Sequence, residues 1–188
     1  FLACLPARAR RPWRAAPAFG MILAITIINN FGKCRFMKLY REHMAEQQQQ
    51  VVVKELFSTL NTRPDGVCNF IDASKWFGKG ARIVYRQYAT LFFIFAIDAS
   101  ESELGILDLI QVMVEALDRN FKNVCELDII FNVEQVHWVV DEMVVGGMVA
   151  ETNMNDILDA VESQARLARQ EQGIGNGGVG AQGQPPSF

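Results

Sequence analysis

The sequence predicts an α+β fold, an antiparallel sheet of about five strands flanked by helices. Three observations carry this. Five short apolar runs rich in Ile, Val, Phe and Tyr have the length of strands. They come as a tight pair and a tight triplet, and connections that short join antiparallel neighbours. The segments between and after them change to three- and four-residue apolar spacing, the period of an amphipathic helix.

The elements follow in order. Met21–Ile28 (MILAITII) is apolar and β-branched throughout, as a strand buried on both faces would be. Asn29-Asn30-Phe31-Gly32 supplies turn residues that tolerate left-handed backbone, and Lys33–Tyr40 (KCRFMKLY) returns as a mixed strand, giving an N-terminal hairpin. From about Glu42 to Leu60 the pattern is helical, with Val52, Val53, Leu56, Phe57 and Leu60 in phase. Gln47–Gln50 belong on its solvated side, and Pro64 and Gly66 end it. Val67–Ala73, Ala81–Tyr88 and Thr90–Asp98 read as three further strands, the Phe-rich TLFFIFAI being central.

Ser100-Glu101-Ser102-Glu103 has the form of a capping box, with the Ser100 hydroxyl accepting an early amide and Glu103 reaching back. The helix it opens carries two apolar stripes. Leu107, Ile110, Val114, Leu117 and Phe121 form one, and Ile106, Leu109, Met113 and Ala116 the other. One stripe suffices for a helix lying on a sheet, so two call for cover from another helix or a partner chain. Val124–Val145 continues as a helical region with Ile129, Val133, Val136, Val140 and Met143 in phase, stopped by Gly146-Gly147. Asn155 can cap a last helix from about Asp156 to Gln170.

Three parts are expected along the chain. Residues 21–172 form the folded domain. From Gly173 the Gly-, Gln- and Pro-rich GIGNGGVGAQGQPPSF reads as a flexible tail, 173–188. Residues 1–20 carry Arg8, Arg10, Arg11 and Arg14, no acid, and three prolines that interrupt any amphipathic helix. They are expected to be a non-native leader or extension rather than a transit peptide, with Met21 as the functional start.

Composition narrows the function. The formal charge is −3, and without the first twenty residues it is −7, from 14 basic and 21 acidic residues. An acidic body argues against nucleic acid as a partner, since phosphate neutralisation needs a basic face. Cys4, Cys34, Cys68 and Cys125 include no C-x-x-C pair, and His43 and His137 are the only histidines, so no metal site and no cofactor are expected. The scattered cysteines are expected to be buried apolar thiols. No stretch reaches the roughly 18 apolar residues of a membrane-spanning helix.

Catalytic chemistry also lacks its parts. There is no G-x-S-x-G, P-loop or G-x-G-x-x-G, and no Ser or Cys motif marks a partner for His43 or His137. Asp98, Glu101 and Glu103 at a strand–helix junction are read as helix-capping acids. The chain is therefore not expected to be an enzyme.

With the elements in place, YRQYATLFFIFAIDASESELGILDLIQVMVEALDRNFKNVCELDIIFN resembles the small (sigma) subunits of clathrin adaptor complexes, as do the opening MILAITIINNFGKCRFMKLY and the later VDEMVVGGMVAETN. The resemblance covers about residues 21–165. SESELGILDLIQV and GGMV-ETNMN look most like the sigma subunit of adaptor protein complex 3. It implies a longin-like fold, with a five-stranded antiparallel sheet between helices. It also implies assembly with a large delta-type subunit, and with beta-type and mu subunits, into a heterotetramer for vesicle-mediated protein transport. The place would be the cytoplasmic face of Golgi and endosomal membranes and coated vesicles, on routes to the lysosome or vacuole.

The activity so implied is binding of acidic dileucine sorting signals, [DE]-x-x-x-L-[LI], in the cytoplasmic tails of membrane proteins. Carried over motif by motif, the apolar pocket falls on Ala89, Leu91, Val114, Val124 and Ile129, and Arg35 and Asn123 match the polar contacts. Without the resemblance the five aliphatics would be plain core and Arg35 a solvated strand charge. The other reading is a longin-type tethering or SNARE-regulatory domain that binds proteins without reading such signals.

Overall fold

A computed structural model describes residues 20–41, 44–64 and 67–175. The expected leader (but for Gly20), His43, Gly66 and the tail from residue 176 lie outside the described residues.

A five-stranded antiparallel sheet forms the middle layer. Its strands are β1 (Ile22–Asn29), β2 (Cys34–Leu39), β3 (Phe70–Asp72), β4 (Arg82–Tyr88) and β5 (Leu91–Ile97), in the spatial order β2-β1-β5-β4-β3. The Phe-rich run is the central strand, as its apolar character on both faces requires. Odd positions of β5 (Leu91, Phe93, Phe95, Ile97) enter one core, and Ile94 and Ala96 enter the other. β1 follows the same alternation from Ala24 onward. A register shift between Ile22 and Ala24 turns Ile22 to the opposite side, so Leu23 and Ala24 share a face.

Each face is covered. Helix α1 (Glu46–Asn61) lays Val52, Val53, Leu56 and Leu60 on one, with the short α2 (Ser74–Phe77) beside it. The glutamines of α1 face outward, Gln49 being half-buried and the other three exposed. The second face carries α3 (Glu103–Phe121), α4 (Glu126–Phe131), α5 (Val133–Met143) and α6 (Met154–Gly175). Helix α3 lies between the sheet and α5 and α6, which explains its two apolar stripes within the chain itself. α6 runs to Gly175, past Gln170 where the sequence placed its end.

Several local expectations are corrected. The cap of α3 is Ser102, whose Oγ accepts from Gly105 N–H at 3.3 Å, whereas Ser100 donates its hydroxyl to Asp98 at 2.8 Å. Glu103 pairs with Arg82 at 2.8 Å instead of reaching back. The region 124–145 is two helices, broken at Asn132, rather than one. Gly146 and Gly147 form the turn between the two-residue strands β6 (Val144–Val145) and β7 (Met148–Val149), with φ of 61° and 85°. Gly147 must be glycine, since its carbonyl accepts from Ile22 N–H at 2.7 Å and a Cβ would stand 2.5 Å from the Ile22 carbonyl oxygen. Cys34, Cys68 and Cys125 are exposed free thiols, not buried ones. Among the described residues no cluster of His, Cys, Asp and Glu could hold a metal ion, and no helix is long and apolar enough to cross a membrane.

Candidate functional site

The residues singled out in the sequence come from four elements and two of the segments that connect elements. Leu91 opens β5 and Ile129 lies in α4. Both are members of the buried core on the α3 side of the sheet, at 6% and 0% exposure. Val114 of α3 and Val124, in the segment leading to α4, are half-buried and packed against that same core. Ala89 is exposed in the two-residue turn between β4 and β5. Its φ of 49° is left-handed, unusual for a residue with a Cβ, and its carbonyl accepts from the Gln87 amide at 3.1 Å.

The segment from α3 to α4 is held in an uncommon conformation. Lys122 and Asn123 are both left-handed, with φ of 55° and 80°. Asn tolerates this region better than most residues, and such strain persists only where the surroundings fix it. Asp118 does so here. Its carbonyl accepts from Lys122 and Asn123, and its carboxylate from Val124 N–H at 3.1 Å. Asn123 is thereby exposed directly beside Val124. Asp128 fixes the start of α4 by accepting from Cys125 N–H at 2.9 Å, and hydrogen bonding at Cys125 holds its carboxyl below the ordinary range.

Arg35 is on β2, which α4 packs against. Its guanidinium reaches Glu126 through Nε at 2.7 Å and Nη2 at 2.6 Å, both to Oε1. Asn29 donates to the same oxygen at 2.9 Å. Asn29 is 2% exposed and accepts from the amides of Phe31 and Lys33 through its own carbonyl oxygen. The sequence showed Asn29 only as a turn residue, and Glu126 sat unremarked inside CELD. Its placement one residue into α4, opposite an arginine distant in the chain, depends on the fold.

The structure thus brings Arg35 to Glu126 of α4, the helix that carries Ile129, while Val114 and Val124 border the core containing Ile129 and Leu91. Ala89 and Asn123 stand outside that core, each in a left-handed turn. Further along α4 and into α5, Leu127, Phe131 and Val133 are exposed apolar side chains.

Comparison with known proteins gives the family. The sequence profile described as "Clathrin adaptor complex small chain" matches residues 21–168. The human protein "AP-3 complex subunit sigma-2" is 50% identical over 155 residues, covering 82% of this chain and 80% of that one. "AP-3 complex subunit sigma" of Dictyostelium discoideum is 50% identical over 163 residues, covering 85% and 95%. A structure described as "Homology model of the full-length AP-3 complex in a stretched open conformation" contains a chain with a TM-score of 0.63. It is 35% identical and covers 82% of this chain and 99% of that one. This chain belongs to the clathrin adaptor complex small chain family, a family of adaptor subunits and not of enzymes.

Proposed function

We propose that the chain is the sigma subunit of an AP-3-type adaptor complex in vesicle-mediated protein transport, and that it helps to bind acidic dileucine signals of cargo tails. The observation behind the signal-binding part is the meeting of β2 and α4. It joins Arg35 to α4, the helix that carries Ile129, and Val114 and Val124 are half-buried against the core that holds Leu91 and Ile129. Two leucine side chains would be received at the aliphatic part and the signal's acid near Arg35 and Asn123.

The large delta-type subunit is the constitutive partner in this reading. Exposed Leu127, Phe131 and Val133 along the α4–α5 elbow are the sort of surface a permanent interface covers. Beta-type and mu subunits complete the assembly, which places the chain peripherally on the cytoplasmic face of Golgi and endosomal membranes and coated vesicles.

The energetics suit a weak, reversible module. Burying two leucines is worth roughly 3–6 kcal/mol. A partly exposed Arg–carboxylate contact adds at most about 1 kcal/mol. Ordering the peptide removes several kcal/mol. An affinity near micromolar, about −8 kcal/mol, is an upper bound, and membrane recruitment with multivalency supplies the rest.

The test is a pull-down of the assembled complex with an acidic dileucine peptide, comparing wild type with Val114→Asp and Arg35→Ser. Val114→Asp is expected to lower peptide binding more than tenfold, since it sets a charge against an apolar wall. Arg35→Ser is expected to lower it by about fivefold or less, the worth of a partly exposed ion pair. Subunit assembly should survive both. A well-assembled complex that takes up no such peptide would make the chain a structural subunit. Peptide uptake indifferent to Val114→Asp would remove the pocket from this location.

A further inference from the structure

Arg35 is not a free cation. The Nε and Nη2 edge of its guanidinium, the edge suited to gripping a carboxylate, is turned onto Oε1 of Glu126, and Asn29 donates to that same oxygen. The arginine and glutamate side chains are 22% and 24% exposed, so the pair is partly shielded from water and salt. Asn29 is locked in turn by the amides of Phe31 and Lys33. Three donors from two strands therefore converge on one oxygen of a helix residue 91 positions away from Arg35. The Nη1 edge is given no acceptor by the described residues.

We infer that Glu126 is an internal counter-ion that occupies the acid-reading edge of Arg35 and so sets how strongly the site prefers an acidic residue in its ligand. This rests on the dileucine reading above. A carboxylate arriving at Arg35 meets a neutral pair. It must either displace Glu126 or take the Nη1 edge close to a like charge. Both routes reduce what the acid adds to binding, so in the native protein the leucines dominate and the acidic residue contributes little. Glu126 acts through Arg35 and is a positioning residue, not a ligand contact.

Glu126→Gln separates charge from shape. The amide oxygen can still accept from Arg35 and Asn29, but the negative charge is gone. Two peptides would be titrated into the assembled complex by calorimetry, one with Glu at the acidic position and one with Gln. Glu126→Gln is expected to raise affinity for the Glu peptide about fivefold, the worth of one partly exposed ion pair. Affinity for the Gln peptide should stay unchanged, and binding of the Glu peptide should become more salt-dependent. Adding Arg35→Ser should abolish the gain. A fall in Glu-peptide affinity would mean that Glu126 only holds Arg35 in place, and an unchanged Glu-to-Gln preference would mean that it has no part in recognition. Either result overturns the inference while leaving the dileucine reading standing. Binding of neither peptide to wild type would sink both.

Discussion

His137 projects from α5 onto Phe36 of β2, with ring centroids 4.7 Å apart and planes tilted by 54°. Burial, and then the charge of Lys38, hold its pKa below the ordinary imidazole value of 6.5. Lys38 itself pairs with Asp141 of α5. The folded chain therefore binds the proton less readily than the unfolded chain. The stability that His137 contributes is complete above about pH 6.5 and is lost as pH falls from there through the depressed folded value. The thermal midpoint of wild type should drop between about pH 7.5 and about pH 5.5, and His137→Phe, which keeps the ring contact, should drop less. Equal drops would remove His137 as the source. The same scale shows what was legible in the residues alone. Arg35 could be singled out because a motif match marked it. Glu126 could not, because a carboxylate in a helix's first turn already has a local explanation, and only the packing of α4 on β2 supplies the second.

Helix ends separate two levels of reading. The sequence locates α3 well, since its periodicity runs unbroken from Ile106 to Phe121. It misplaces the cap, because Ser100 and Ser102 have equal chemistry, and backbone geometry together with the Asp98 carboxylate decides between them. Ser102 is extended, with φ −81° and ψ 114°, and its oxygen faces Gly105 N–H, while Asp98 captures the hydroxyl and amide of Ser100. Ser102→Ala is expected to cost about 1 kcal/mol in denaturant unfolding, and Ser100→Ala less than about 0.5 kcal/mol. The reverse ranking would restore Ser100 as the cap. The break at Asn132 was hidden for a related reason. Apolar residues stay roughly in phase across it, so periodicity runs through the non-helical backbone of Asn132, with φ −122° and ψ 42°, that divides the two helices.

At the scale of the whole molecule the sheet divides two cores. Strand count, antiparallel pairing and the central place of β5 were readable because apolar alternation and short connections reach across only a few residues. The β1–β5 pairing joins strands 60 or so residues apart, and what selects it is the need to bury both strands on both faces. One consequence concerns how the two cores share stability. Ile83 faces the α1 side and Ile110 the α3 side, and both are fully buried. Ile83 belongs to β4 of the sheet itself, and its side chain enters the α1-side cluster while Ile110 of α3 enters the other, so the two share no core cluster through which to couple directly. Ile83→Val and Ile110→Val should each cost about 1 kcal/mol, and the double variant their sum to within about 0.5 kcal/mol, in a single unfolding transition. A larger deviation in equilibrium denaturation would mean that the sheet transmits strain between its faces. Two separate transitions would mean that the α1 layer can leave while the α3 core survives. In that case the cluster bearing Arg35 and Glu126 would persist without the helix on the other side.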